Sequence, residues 1–133
     1  MLKIEHLGIA VSKLSDSIPL FEQLLNTPCY KTEDVASEGV STAFFQTGDS
    51  KIELLEASIE TSPIAKFIAK KGPGIHHIAF EVENIEAEMK RLAALGFELL
   101  NETPKKGADN KLVCFLHPKT TNGVLIELCQ EIR

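Results

Sequence analysis

The chain has no apolar run approaching the roughly 18 residues a bilayer-spanning helix needs, and its first stretch, MLKIEHLGIAV, is too short and too charged for a signal peptide. A membrane protein and an exported one are both disfavoured. Cysteine is scarce: Cys29, Cys114 and Cys129 are odd in number and unclustered, and two of them sit within apolar strand-like runs. That excludes a disulfide framework and a cysteine zinc motif, and the thiols read as reduced packing residues of a cytoplasmic protein. A basic excess is also missing. With 14 basic against 19 acidic residues the net charge is −5, which argues against a nucleic-acid or anionic-membrane partner. No low-complexity tract is present, and a chain of 133 residues that is 44% hydrophobic and 25% charged has the composition of an ordinary soluble globular protein. That length suffices for one cored domain built from two half-size modules.

What the chain does have is a repeat. EHLGIAV (5–11) and HHIAFEV (76–82) superpose at an offset of 71, matching His6 with His77 and Val11 with Val82. The same offset carries Leu14, Ile18, Phe21 and Leu24 onto Ile85, Met89, Leu92 and Leu95, the apolar stripe of an amphipathic helix. Pro19 is tolerated only near a first turn, which predicts a helix start at Ser15 or Asp16; Asn84 is a plausible cap for the second helix. Each helix precedes strand-like segments separated by turn signals. In the first half these are 29–34, VSTAFFQT (40–47) and KIELLEA (51–57); in the second, FELLN (97–101), KLVCFLH (111–117) and VLIELC (124–129). The expected organisation is a single α+β domain over 1–133, with one βαβββ module at about 1–60 and a second at about 75–133. Between them, SPIAKFIAKKGPG (62–74) reads as a short helix from Pro63 ended by a Gly-Pro-Gly linker.

Alternation along the strands then selects residues. His6, Gly8 and Ala10 share one face of the first strand, and His77, Ala79 and Glu81 share one face of its counterpart, while the apolar faces belong under the helices. His76, pointing the other way, is left as a polar residue at the strand entrance. Glu53 in KIELLEA and Glu127 in VLIELC are carboxylates inside apolar strands, costly to bury unless paired or metal-bound. They lie 74 residues apart, close to the histidine offset. Two histidines and two carboxylates on one face of a pseudo-twofold sheet would suit zinc, cobalt, nickel, manganese or iron(II).

At these residues the sequence resembles the vicinal-oxygen-chelate superfamily, and within it the methylmalonyl-CoA epimerases. IEHLGIAV, TGDSKIELLEA, GPGIHHIAFEV and CFLHPKTTNGVLIELCQ carry the resemblance, which runs the length of the chain. It implies two paired βαβββ modules forming a cleft-shaped mixed sheet, one divalent metal ion held by His6, Glu53, His77 and Glu127, an acyl-CoA thioester substrate and a homodimer. Some epimerases carry Gln at the second ligand position, so Glu53 adds a negative charge. The resemblance makes Glu127 one of two acid/base groups and places the other in VASEGV. There the chain departs from the family: many members carry Glu two residues before the Gly, where this chain has Ser37, and Glu38 follows one place later. In a regular strand that slip turns the side chain to the wrong face, so Glu38 serves only from a loop or bulge. Lys105, Lys106, Lys111 and Lys119 are candidates for coenzyme A phosphates; Gly107 and Gly123 allow close approach or merely form turns; His117 and Pro118 touch ligand or shape a turn. A glyoxalase I would use the same four ligands, a ring-cleaving dioxygenase needs an open fourth position, and a metal-free binding protein of this fold tends to lose them.

Overall fold

The computed structural model describes residues 1–133. In chain order the elements are β1 (Lys3–Ala10), α1 (Leu14–Leu25), β2 (Lys31–Val35), β3 (Val40–Thr47), β4 (Ser50–Ala57), α2 (Pro63–Lys71), β5 (Gly74–Glu81), α3 (Ile85–Ala94), β6 (Lys105–Lys106), β7 (Lys111–Leu116) and β8 (Ile126–Glu131). They fall into two compact units, residues 6–76 and residues 77–133 with 1–5. No helix is long and apolar enough to cross a membrane.

The first unit orders its strands β2-β3-β4-β1, with antiparallel β2–β3 and β3–β4 ladders and a parallel β4–β1 ladder. The parallel pairing follows from the connection, because the chain leaving β1 rejoins the sheet only after α1 has crossed one face. Ile9, Val11, Ala43, Phe45 and Leu54 pack there against Leu14, Ile18, Phe21 and Leu25 of α1. On the opposite face α2 covers part of the same strands, Ile64, Phe67 and Ile68 meeting Ala10, Val40 and Leu55.

The second unit repeats the plan as β6-β7-β8-β5, with β5 and β8 parallel. Val82, Ile85, Met89 and Leu92 pack on Cys114, Leu116 and Leu128, while Ala79, Val113 and Cys129 form a smaller cluster. All three cysteines are free thiols, and burial pushes the Cys114 thiol above its usual range.

Three local expectations are corrected. α1 starts at Leu14, so Pro19 falls in its second turn, and the N-cap residue Lys13 makes no side-chain cap bond. The fourth stripe residues turn outward: Leu24 is 69% and Leu95 65% exposed, and Leu25 replaces Leu24 in the core because the stripe steps four residues on from Phe21. FELLN is not a strand. Phe97 and Leu99 are drawn into the α3 core, leaving one bridge from Leu99 to Leu116, and the edge strand is β6 instead.

Candidate metal-binding and catalytic site

Register sets each half of the candidate site. In the β1–β4 ladder Gly8 lies opposite Glu53, so His6, two residues before Gly8 and on its face, is the diagonal neighbour of that carboxylate. His6 Nδ1 stands 3.1 Å from Glu53 Oε2. In the β5–β8 ladder Ala79 lies opposite Glu127, and His77 Nε2 stands 3.1 Å from Glu127 Oε1. All four side chains are buried. The small residue opposite each carboxylate leaves room for the diagonal imidazole. On the antiparallel side each carboxylate faces an aromatic residue, Phe44 opposite Glu53 and Phe115 opposite Glu127, and the Phe115 ring meets the His77 imidazole edge to face at 5.7 Å.

A carboxylate in such surroundings is stabilised by a cation or a hydrogen-bond donor. An imidazole nitrogen and a carboxylate oxygen on one strand pair are also donors that borderline divalent metals accept, so each pair fits as half of a metal site.

Comparison with known proteins places the chain in a family. Residues 5–115 match the glyoxalase/bleomycin resistance protein/dioxygenase superfamily. The chain is 41% identical to the ethylmalonyl-CoA/methylmalonyl-CoA epimerase of Cereibacter sphaeroides, over 96% of this chain and 97% of that one. The crystal structure of methylmalonyl-CoA epimerase from Mycobacterium tuberculosis superposes with a TM-score of 0.94 at 34% identity, covering 98% of this chain and 89% of that one. A methylmalonyl-CoA epimerase in complex with methylmalonyl-CoA and NH4+ gives 0.93 at 32% identity, covering 98% and 95%. The chain belongs to the methylmalonyl-CoA epimerase family of this superfamily. The glyoxalase-like α+β fold expected from the two βαβββ modules is the fold found.

Where the chain departs from the epimerase pattern, the backbone removes the objection to Glu38. Residues Ala36–Glu38 form a 3-10 turn closed by Gly39 at φ +63°, so strand alternation does not apply and a one-residue slip is not a change of face. Ser37 is exposed and Glu38 half-buried. Gly39 is required twice over, since a Cβ there would lie 2.6 Å from Ile59 Cγ1 in a left-handed conformation.

The remaining candidate residues fall in different surroundings. His117 shapes a turn: its Nδ1 accepts from the Lys119 amide at 3.0 Å and its carbonyl from the Thr120 hydroxyl at 3.1 Å. Lys119 pairs with Glu98 at 2.8 Å and holds that carboxyl below the usual range. Lys105 and Lys106 form the exposed β6 edge. Lys111 is no phosphate ligand in this arrangement, because it is buried beside Glu5 and Glu131. Gly107 approaches β7 closely, a Cβ there lying 3.1 Å from Val113, and Gly123 occupies a turn at φ +83°. His76 is half-buried with its ring 5.0 Å from Phe67. Sequence reading missed the Glu5–Lys111 pair and the two phenylalanines. For Phe115 a signal was available, since Lys111, Val113 and Phe115 alternate on the face that Glu127 occupies.

Proposed function

We propose that this protein epimerises methylmalonyl-CoA at its α-carbon and that His6, Glu53, His77 and Glu127 together hold one divalent ion such as cobalt, zinc, nickel or manganese. The observation that supports this most is the duplicated, buried His–carboxylate pair, in the same ladder register in both units, in a chain of the epimerase family. The substrate's α-proton lies between a thioester carbonyl and a carboxylate. When bound, the ion would supply a Lewis acid for those two oxygens.

The chain's own residues carry the proton. A carboxylate takes the α-proton from one face while the C–H electron pair delocalises into the thioester carbonyl. That pair then returns to the α-carbon as a second carboxyl group delivers a proton to the opposite face. Glu127 fills one role and Glu38 the other, each exchanging its proton with solvent between turnovers. Coenzyme A binding and the homodimer that the resemblance implies belong to the same proposal.

Exchange of the α-proton of methylmalonyl-CoA in deuterated water, followed by NMR, tests it. Metal-loaded protein should exchange quickly and chelator-treated protein slowly, with Glu127→Gln and Glu38→Gln each losing about 100-fold or more, the lower range for removing an acid/base group. No exchange by the loaded protein, together with turnover of a glutathione hemithioacetal, would replace the epimerase reading with a glyoxalase one.

A further inference from the structure

We infer that Lys111 and Glu5 form a buried positioning pair that sets how firmly His6 is presented to the metal. The inference rests on the metal reading above. Glu5 is 2% and Lys111 5% exposed, with Lys111 Nζ 3.8 Å from Glu5 Oε2 and 3.3 Å from Glu131 Oε1. An ion pair so enclosed is a poor source of stability, because desolvating both charges offsets their attraction. Its position suggests what it does. Glu5 immediately precedes His6, and the Leu2 amide, donating to the Glu81 carbonyl at 2.8 Å, fastens the same end of β1.

Lys111 is delivered by a tight turn. Asp109 and Asn110, the two residues before it, both adopt left-handed backbone, at φ +59° and +54°, the conformation that aspartate and asparagine tolerate best among residues other than glycine. The turn is tied down by the Gly107 amide donating to the Lys111 carbonyl at 2.9 Å and the Ile132 amide donating to the Asn110 carbonyl at 3.2 Å. A lysine serving only solubility would need neither the turn nor the burial. Lys111 is thus a positioning residue acting through Glu5 and β1, in the way that supporting partners orient metal ligands elsewhere.

The test is cobalt affinity by titration calorimetry, with the visible cobalt spectrum as a second readout, on Lys111→Met, Lys111→Arg and the double variant Glu5→Gln/Lys111→Met. Lys111→Met leaves Glu5 buried without its cation and can destabilise the fold. The double variant removes both charges, so it should fold with near-normal stability and still bind cobalt about tenfold more weakly, with an altered spectrum. Lys111→Arg, which keeps the charge, should restore most of the affinity. A folded double variant with unchanged affinity and spectrum overturns the inference alone; a wild-type protein that binds no cobalt overturns it together with the metal reading.

Discussion

The two units repeat each other where a candidate ligand depends on register and diverge at their outer edges. The parallel ladders match residue for residue: His6 with Gly8 opposite Glu53, and His77 with Ala79 opposite Glu127. The outer edges do not match. β2 pairs with β3 over five residues, whereas β6 is two residues long and the segment before it bonds irregularly, the Leu100 amide donating to the Phe115 carbonyl and the Phe115 amide to Asn101 Oδ1. A one-residue slip in β1, β4, β5 or β8 would turn a candidate ligand onto the helix face. None of the four candidates lies on β2 or β6. The two His–carboxylate pairs also differ, His6 meeting its carboxylate through Nδ1 and His77 through Nε2. Phe44 is fully covered, with the Lys31 ammonium 4.6 Å from its ring, while Phe115 remains half-buried.

The largest break in this symmetry should be chemical. Glu53→Gln keeps an oxygen donor and removes a charge, so α-proton exchange should stay within about tenfold while metal binding weakens. Glu127→Gln also removes the base, and exchange should fall by about 100-fold or more. Measured side by side at saturating metal, equal losses would mean that the two carboxylates are equivalent and that Glu127 is not the base.

Packing should restore the symmetry. Leu54 and Leu128 are both fully buried, one under α1 and the other under α3. Leu54→Ala and Leu128→Ala should each cost about 3 kcal/mol, the range for large-to-small changes in a core. Urea unfolding followed by circular dichroism checks this. A loss confined to one variant, or two separate transitions, would show that the units do not unfold as one.

The same division explains what could be read from the sequence. The repeat located β1, α1, β5 and α3, and strand patterning with turn signals located β3, β4, β7 and α2, all within a few residues; together they singled out His6, Glu53, His77 and Glu127, because buried strands and helix stripes impose periods of 2 and 3.6 on residue type. FELLN has strand-like composition, yet two of its apolar residues are claimed by the α3 core. The partnership of Glu5 with Lys111 joins residues 106 positions apart, and no local pattern encodes it. For Glu38 the sequence left a strand and a loop both open, and only the backbone shows that residues 36–38 form a 3-10 turn.

A smaller asymmetry lies at the helix starts, and it shows how one strand does two jobs. Three residues beyond each candidate ligand, on the helix-facing side, Glu56 accepts from the Leu14 amide at 2.6 Å and Gln130 from the Ile85 amide at 2.7 Å. The strand that carries the carboxylate thus also clamps its helix, which ties the site face to the core face. α3 has a second cap, Asn84 Oδ1 accepting from the Ala87 amide at 3.0 Å, whereas Lys13 makes no cap bond for α1. Glu56 also brings a negative charge to the positive end of α1. Glu56→Ala should therefore cost about 1.5 kcal/mol, the low end for a hydrogen bond to a charged group. Gln130→Ala, with Asn84 still in place, should cost about 0.5 kcal/mol, the low end for a neutral one. Adding Asn84→Ala to Gln130→Ala should bring the second unit's loss up toward the first's, by about 1 kcal/mol more. If Gln130→Ala alone already equals Glu56→Ala in the unfolding midpoint, the clamp is independent of charge and of the second cap, and the helix starts are as symmetric as the ligands.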